Sequence, residues 1–231
     1  MKRRTFVGAA TGLAALGTLG SPAFGQAKIT GDVRFLCGFA PGGNADLLCR
    51  LIAESARSEI GQNIIVENKS GAGGFIANET MANAPPDGRP IGLAAMAAMS
   101  VSPVLPGLKL PINVDTDLTP IGSVANVYNV LVFAKSAPFR SVPEMIEMAK
   151  KNPGKLSYGS SGIGGFGQMC AELFAVTANI KMTHVPYKGS APSLIDLMGG
   201  HIQILFNSAL PTMQHIKSGK MRALATTGAR R

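Results

Sequence analysis

The sequence predicts an α/β protein of two lobes. Short β-rich runs alternate with amphipathic helical patterns, the alternation restarts near residue 125, and three strand-to-helix junctions are rich in glycine. Such alternation is the grammar of sheets whose parallel strands are joined by crossover helices. With 231 residues, 46% of them apolar and only 15% charged, the chain can bury a core and falls outside the composition of disordered proteins.

Residues 1–25 read as an export signal. Lys2, Arg3 and Arg4 precede a weakly apolar run over residues 7–19, and Ala23, Gly25 and Ala27 supply small residues for cleavage. The run is shorter than the roughly 20 residues that cross a bilayer, which disfavours a membrane anchor. Arg3-Arg4-Thr5-Phe6-Val7 also resembles a twin-arginine signal, so the general and twin-arginine routes both stay open. A periplasmic location is expected either way.

The first lobe is expected over residues 26–125. Residues 33–39 form a buried strand, and 46–60 a helix with Leu47, Leu48, Leu51, Ile52, Ala56 and Ile60 on one side. A second strand at 63–67, a helix at 75–84, the turn Pro85-Pro86-Asp87-Gly88 and a strand at Ile91 follow. The second lobe is expected over 126–231. Long β-like stretches at 118–124 and 127–134 lead to Ser141 and Glu144, spaced as a capping box for a helix that stops at Asn152-Pro153-Gly154. Strands at 156–160, 182–187, 201–207 and 221–227 then alternate with helices at 167–178, 192–198 and 212–217. The last strand has no helix after it to cover it, and the first lobe has only three clear strands, so the first lobe is expected to be incomplete.

The glycine-rich junctions are residues 41–46, 70–74 and 160–167. Ligands of open α/β sheets bind at the carboxyl ends of strands, where unpaired N–H groups at the next helix N-terminus attract anions. Three such junctions in one chain point to a shared anion-binding cleft. A mildly positive balance, 22 Lys plus Arg against 13 Asp plus Glu for a net of +9, suits that. Removing residues 1–25 lowers the net charge only to +6, and the remaining basic residues are scattered with few aromatics between them. That pattern argues against a nucleic-acid partner.

No catalytic or metal-ligating constellation is visible. The chain lacks the G-x-S-x-G and H-E-x-x-H patterns, and His184, His201 and His215 each stand alone. Cys37, Cys49 and Cys170 include no C-x-x-C pair and are expected to remain free thiols. Gly162, Gly164 and Gly167 do match G-x-G-x-x-G, yet no Asp or Glu occurs over residues 173–195, where a dinucleotide site places its ribose-binding acid. No cofactor is expected.

Six ordered blocks carry a family resemblance. They are Phe39-Ala40-Pro41-Gly42-Gly43-Asn44-Ala45-Asp46, residues 66–74, Pro86-Asp87-Gly88, Tyr158-Gly159-Ser160-Ser161-Gly162, His184-Val185-Pro186-Tyr187-Lys188-Gly189, and residues 215–225. Together they resemble the extracytoplasmic solute-binding receptors of tripartite tricarboxylate transporters, also called the Bug family. The resemblance implies a two-lobe periplasmic-binding-protein-like fold that closes on a hinge, captures a small organic carboxylate and delivers it to membrane permease subunits, without catalysis. It also implies the ligand-binding residues: Phe39, Ala40, Gly42, Gly43, Asn44 and Asp46 from the first lobe, and Ser160, Ser161, Gly164, Gln168 and Asn207 from the second. Family members continue past Arg231 with a segment that completes the first lobe, which is the second reason to expect an incomplete lobe here. Ala40 stands where proline is common, Arg89-Pro90 where Tyr-Thr is usual, and Gly165, Gln168 and Asn207 replace Thr or Ser, His and Asp, so no relative's ligand carries over. Two other readings stay open: a dinucleotide-dependent oxidoreductase built on Gly162 to Gly167, and a truncated, non-functional family member.

Overall fold

A computed structural model describes residues 29–228, and the export signal expected over 1–25 lies outside them. Among the described residues no helix is long and apolar enough to cross a membrane.

The first lobe is a three-stranded parallel sheet in the order β2-β1-β3. Strand β1 (Val33–Cys37) is apolar and almost wholly buried, and it pairs in parallel with β2 (Ile64–Asn68) and β3 (Pro90–Gly92). Helix α1 (Asn44–Ile60) makes the first crossover and ends on Gly61, whose left-handed conformation (φ 67°) lets its N–H reach the Arg57 carbonyl. Helix α2 (Phe75–Ala82) makes the second. The chain leaves β1 to one side and returns to the other, so β1 lies at a topological switch point, where α/β sheets open a crevice. A bidentate Arg34–Glu67 pair, at 2.7 and 2.8 Å, ties β1 to β2.

Helix α1 does not sit as its apolar pattern suggests. It turns Asp46, Cys49 and Ala53 inward, while Leu51 is 59% exposed. Leu48, Leu51, Ile52 and Ala56 instead line an open groove with Val124. After β3 comes a π-helical turn (Ala97–Val101), which packs Ala98 against Phe75, Ile112 and Val114 in a small apolar cluster.

Residues 118–128 have no regular secondary structure, against the strand expected at 118–124. Pro120 removes a ladder donor and Ile121 is 88% exposed, so nothing there rewards an extended pairing.

The second lobe is a five-stranded sheet in the order β6-β5-β7-β4-β8. Its strands are β4 (Asn129–Ala134), β5 (Ser157–Ser160), β6 (Thr183–Pro186), β7 (Ile204–Ser208) and β8 (Met221–Thr226). Helices α3 (Val142–Lys151), α4 (Phe166–Ala178), α5 (Ser190–Gly199) and α6 (Ala209–Lys217) connect them. The sheet is mixed rather than all parallel, because β4 runs antiparallel to both β7 and β8. Its core gathers Leu131, Phe133, Met145, Leu197, Ile204 and Leu205, each at most 2% exposed. Strand β5 is the switch point of this sheet, flanked in parallel by β6 and β7. Ser141 does cap α3 by accepting from the Glu144 amide, and the Glu144 carboxylate reaches back to the Arg140 amide at 2.8 Å. The three cysteines are free, with Cys37 and Cys49 fully buried.

Candidate functional site

Both switch points open onto one cavity of about 180 Å3. Gly38 and Phe39 enter it from the end of β1, residues 71–74 from the turn between β2 and α2, and residues 161–163 from the end of β5. Pro186, Tyr187 and Lys188 complete it from the end of β6. All three glycine-rich junctions of the sequence therefore build or frame one concave surface.

Glycine is required where these turns meet. Gly73 and Gly162 hold φ values of 64° and 142°, which disfavour other residues. A Cβ on Gly73 would stand 3.0 Å from the Ile163 carbonyl oxygen, and one on Gly162 would stand 3.4 Å from Gly73 Cα. The two lobes touch backbone to backbone at this point, and a side chain on either turn would push them apart.

A second contact joins the lobes beside the cavity. The Ala40 amide donates to the Lys188 carbonyl at 2.8 Å, and the Asn44 amide donates to the Ser190 hydroxyl at 3.0 Å. Gly43, the N-cap of α1, has no side chain with which to cap the helix. Ser190 supplies that oxygen from the other lobe.

The residues expected to bind ligand divide into a lining set and a framing set. Phe39 and Ser161 line the cavity. Ala40, Gly43 and Asn44 meet the second lobe as just described. Gly42 donates its amide to Asp46 Oδ2 at 2.9 Å, and the same buried carboxylate accepts from Arg50 Nε at 3.0 Å and Asn68 Nδ2 at 2.9 Å. Burial pushes the Asp46 carboxyl upward, but these three donors outweigh it and hold the group below its ordinary range. Asp46 thus closes the loop from β1 to α1 rather than facing the cavity. In the second lobe the Gly164 amide donates to Gln168 Oε1 at 2.7 Å, which fastens the turn to α4. Asn207 donates to Thr212 Oγ1 at 2.9 Å under the start of α6. Ser160 is fully buried behind the wall.

Residues 71–74 and 186–188 line the cavity without having been named among the binding residues. The first set was visible as a glycine run. The second was visible only as Tyr187-Lys188-Gly189 in a resemblance block, because nothing local tells that the turn after β6 joins the turn after β5. The Tyr187 hydroxyl is engaged within its own lobe, donating to Asp196 at 2.6 Å, while its carbonyl lies beside the Gly162 turn. Burial, and then that bond, push the phenol above its ordinary value. No Asp or Glu occurs among the lining residues, and Lys188 is their one cationic side chain. Among the described residues no cluster of His, Cys, Asp or Glu could hold a metal ion.

Residues 48–231 match the family model described as the tripartite tricarboxylate transporter family receptor. The chain belongs to this family. It is 32% identical over 197 residues to protein BugT of Bordetella pertussis, covering 84% of this chain and 59% of BugT. A curated relative from Pseudomonas sp. strain P51 is 34% identical over 189 residues, and the chain spans 56% of that relative's length. Among solved structures, R. palustris Rpa4515 with adipate superposes with a TM-score of 0.83 at 34% identity, covering 87% of this chain and 67% of that one. The periplasmic binding protein BugD gives 0.81 at 34% identity, covering 87% and 66%. MatC from Rhodopseudomonas palustris with bound malate gives 0.80 at 26% identity, covering 87% and 68%. The fold is that of the two-lobe periplasmic binding proteins, and the family is one of receptors rather than enzymes.

Proposed function

We propose that this receptor captures a small organic carboxylate in the cavity between its lobes and presents it to the permease subunits of a tripartite transporter. In this reading residues 1–25 direct export to the periplasm, and residues 26–125 and 126–231 form the two lobes. The supporting observation is the chemistry of the wall: backbone from glycine-rich turns and one lysine, with no carboxylate among the lining residues. Strand ends at switch points present main-chain N–H groups, which favour an anion without any need for a nucleophile. Adipate and malate, bound by the structural neighbours, are both carboxylates. Direct contacts fall to Phe39, Ser161, residues 71–74 and Lys188, while Ala40, Gly42, Gly43, Asn44, Asp46, Ser160, Gly164, Gln168 and Asn207 hold those walls in place.

Calorimetric titration of the protein against dicarboxylates, tricarboxylates, amino acids and aromatic acids tests the proposal. Saturable one-to-one binding of at least one acid is expected. Folded protein that binds none of them would refute it.

A further inference from the structure

Ser160 ends β5 one residue before the cavity wall begins, with none of its surface exposed. Its hydroxyl has three neighbours: the Gly162 carbonyl at 3.0 Å, the Gly162 amide at 3.2 Å and His184 Nε2 at 2.7 Å. A hydroxyl has one proton to give and lone pairs with which to receive. The carbonyl can only accept, so it takes the Ser160 proton, and the amide can only donate. The imidazole must then donate as well, which fixes His184 as the Nε2–H tautomer.

His184 is itself held in place. Strand register sets it beside Tyr158, on whose ring it stacks at 4.8 Å and 17°. The Tyr158 hydroxyl in turn donates to Glu172 on α4.

We propose that His184 and Ser160 are positioning residues for the ligand site: His184 donates to Ser160, and Ser160 clamps both backbone groups of Gly162, fixing the turn that faces the ligand. The proposal rests on the carboxylate-binding reading above. Gly162 gains from such a clamp because a glycine reaches its φ of 142° freely but brings no side chain of its own to hold the turn there. The same turn abuts Gly73 of the opposite lobe, so a shift in it alters both walls. The arrangement also removes Ser160 from consideration as a nucleophile, since the imidazole gives it a proton rather than taking one.

Long-range 1H–15N spectra of the labelled chain read the tautomer directly, and an Nε2–H, Nδ1-bare imidazole is expected for His184. Hydrogen exchange at the Gly162 amide and calorimetry with adipate and malate are then compared across Ser160→Ala, His184→Phe and His184→Gln. Phenylalanine keeps the stack on Tyr158 but cannot donate, whereas the glutamine amide restores a donor. Loss of the clamp is expected to speed Gly162 exchange and weaken binding about tenfold in Ser160→Ala and His184→Phe. His184→Gln is expected to stay within about threefold of the parent. An Nδ1–H tautomer, or parental exchange and affinity in His184→Phe, overturns the proposal. If the parent protein binds none of the acids in the panel above, the carboxylate reading falls by itself, and the tautomer with the Gly162 exchange rate still decides the positioning role.

Discussion

The Asn44 amide donates to the Ser190 hydroxyl at 3.0 Å, although 146 residues separate them along the chain. A helix start in one lobe is therefore capped by a side chain of the other, so the stability of α1 and the closed contact between lobes are linked. Ser190→Ala is expected to cost about 1 kcal/mol, the usual worth of an N-cap. For a chain of this size that lowers the melting temperature by about 2–4 °C. Gly43→Ala places a Cβ 2.8 Å from Ser190 Oγ, so it is expected to cost less in the Ser190→Ala background than alone. Scanning calorimetry of the four-member cycle reads that coupling, and strict additivity would show that the two residues do not meet.

Much of this architecture was legible in the sequence because strands and crossover helices carry strong local patterns. Expected and observed bounds of α3 and β8 differ by a residue or so, since Ser141 with Glu144 and the alternation through Met221 mark them locally. The face of α1 was not legible, because apolar residues occur on more than one side and a polar lock, Asp46 with Gly42 and Asn68, decides which side turns inward. The direction of β4 was also hidden. Antiparallel pairing to β7 and β8 depends on where the chain enters the second sheet, and a run such as Val130 to Ala134 reads the same in either direction. Membership of Pro186, Tyr187 and Lys188 in the cavity depends on the same kind of long-range pairing, here β5 beside β6.

Gly73→Ala tests whether the lobes need bare backbone where they meet. Alanine in the left-handed region costs about 1–2 kcal/mol wherever it occurs. Gly107 supplies the control: its φ is 78° and a Cβ there would meet nothing within 4 Å, whereas a Cβ on Gly73 would stand 3.0 Å from the Ile163 oxygen. Both variants are expected to lose stability to urea, Gly73→Ala the more because its methyl also crowds the Ile163 oxygen, and only Gly73→Ala loses carboxylate affinity, by about tenfold or more, as that methyl wedges the turns apart. Equal affinities in the two variants would mean that this contact does not shape the site.

Asp46 gives the first lobe a pH dependence of known sign. Its carboxyl is held below the ordinary value of 3.8, burial being outweighed by Arg50, the Gly42 amide and Asn68. A depressed folded value means that the ionised form stabilises the fold. That contribution is complete above the ordinary value and is lost as the pH falls through the lower folded one. Asp46→Asn is expected to lower neutral-pH stability by about 2 kcal/mol, because one of the three donors then faces an amide NH2. It is also expected to flatten the acid limb of a urea-midpoint profile, and an unchanged limb would place the acid sensitivity elsewhere.

Lys188 separates charge from backbone in ligand capture. Its carbonyl anchors Ala40 of the first lobe at 2.8 Å, and it is the one cationic residue among those lining the cavity. Lys188→Gln therefore removes the charge and leaves the main-chain contact intact. Because the residue is exposed, its attraction for an anion is screened and worth about 0.2–1 kcal/mol, or at most about fivefold in affinity. Titrating adipate into parent and variant at low and high salt should show the parent binding more tightly by up to that factor at low salt. The gap should close as ions screen the lysine. A loss much larger than fivefold, persisting at high salt, would instead mean that the lysine is desolvated against the ligand and that charge, rather than main-chain N–H groups, dominates recognition.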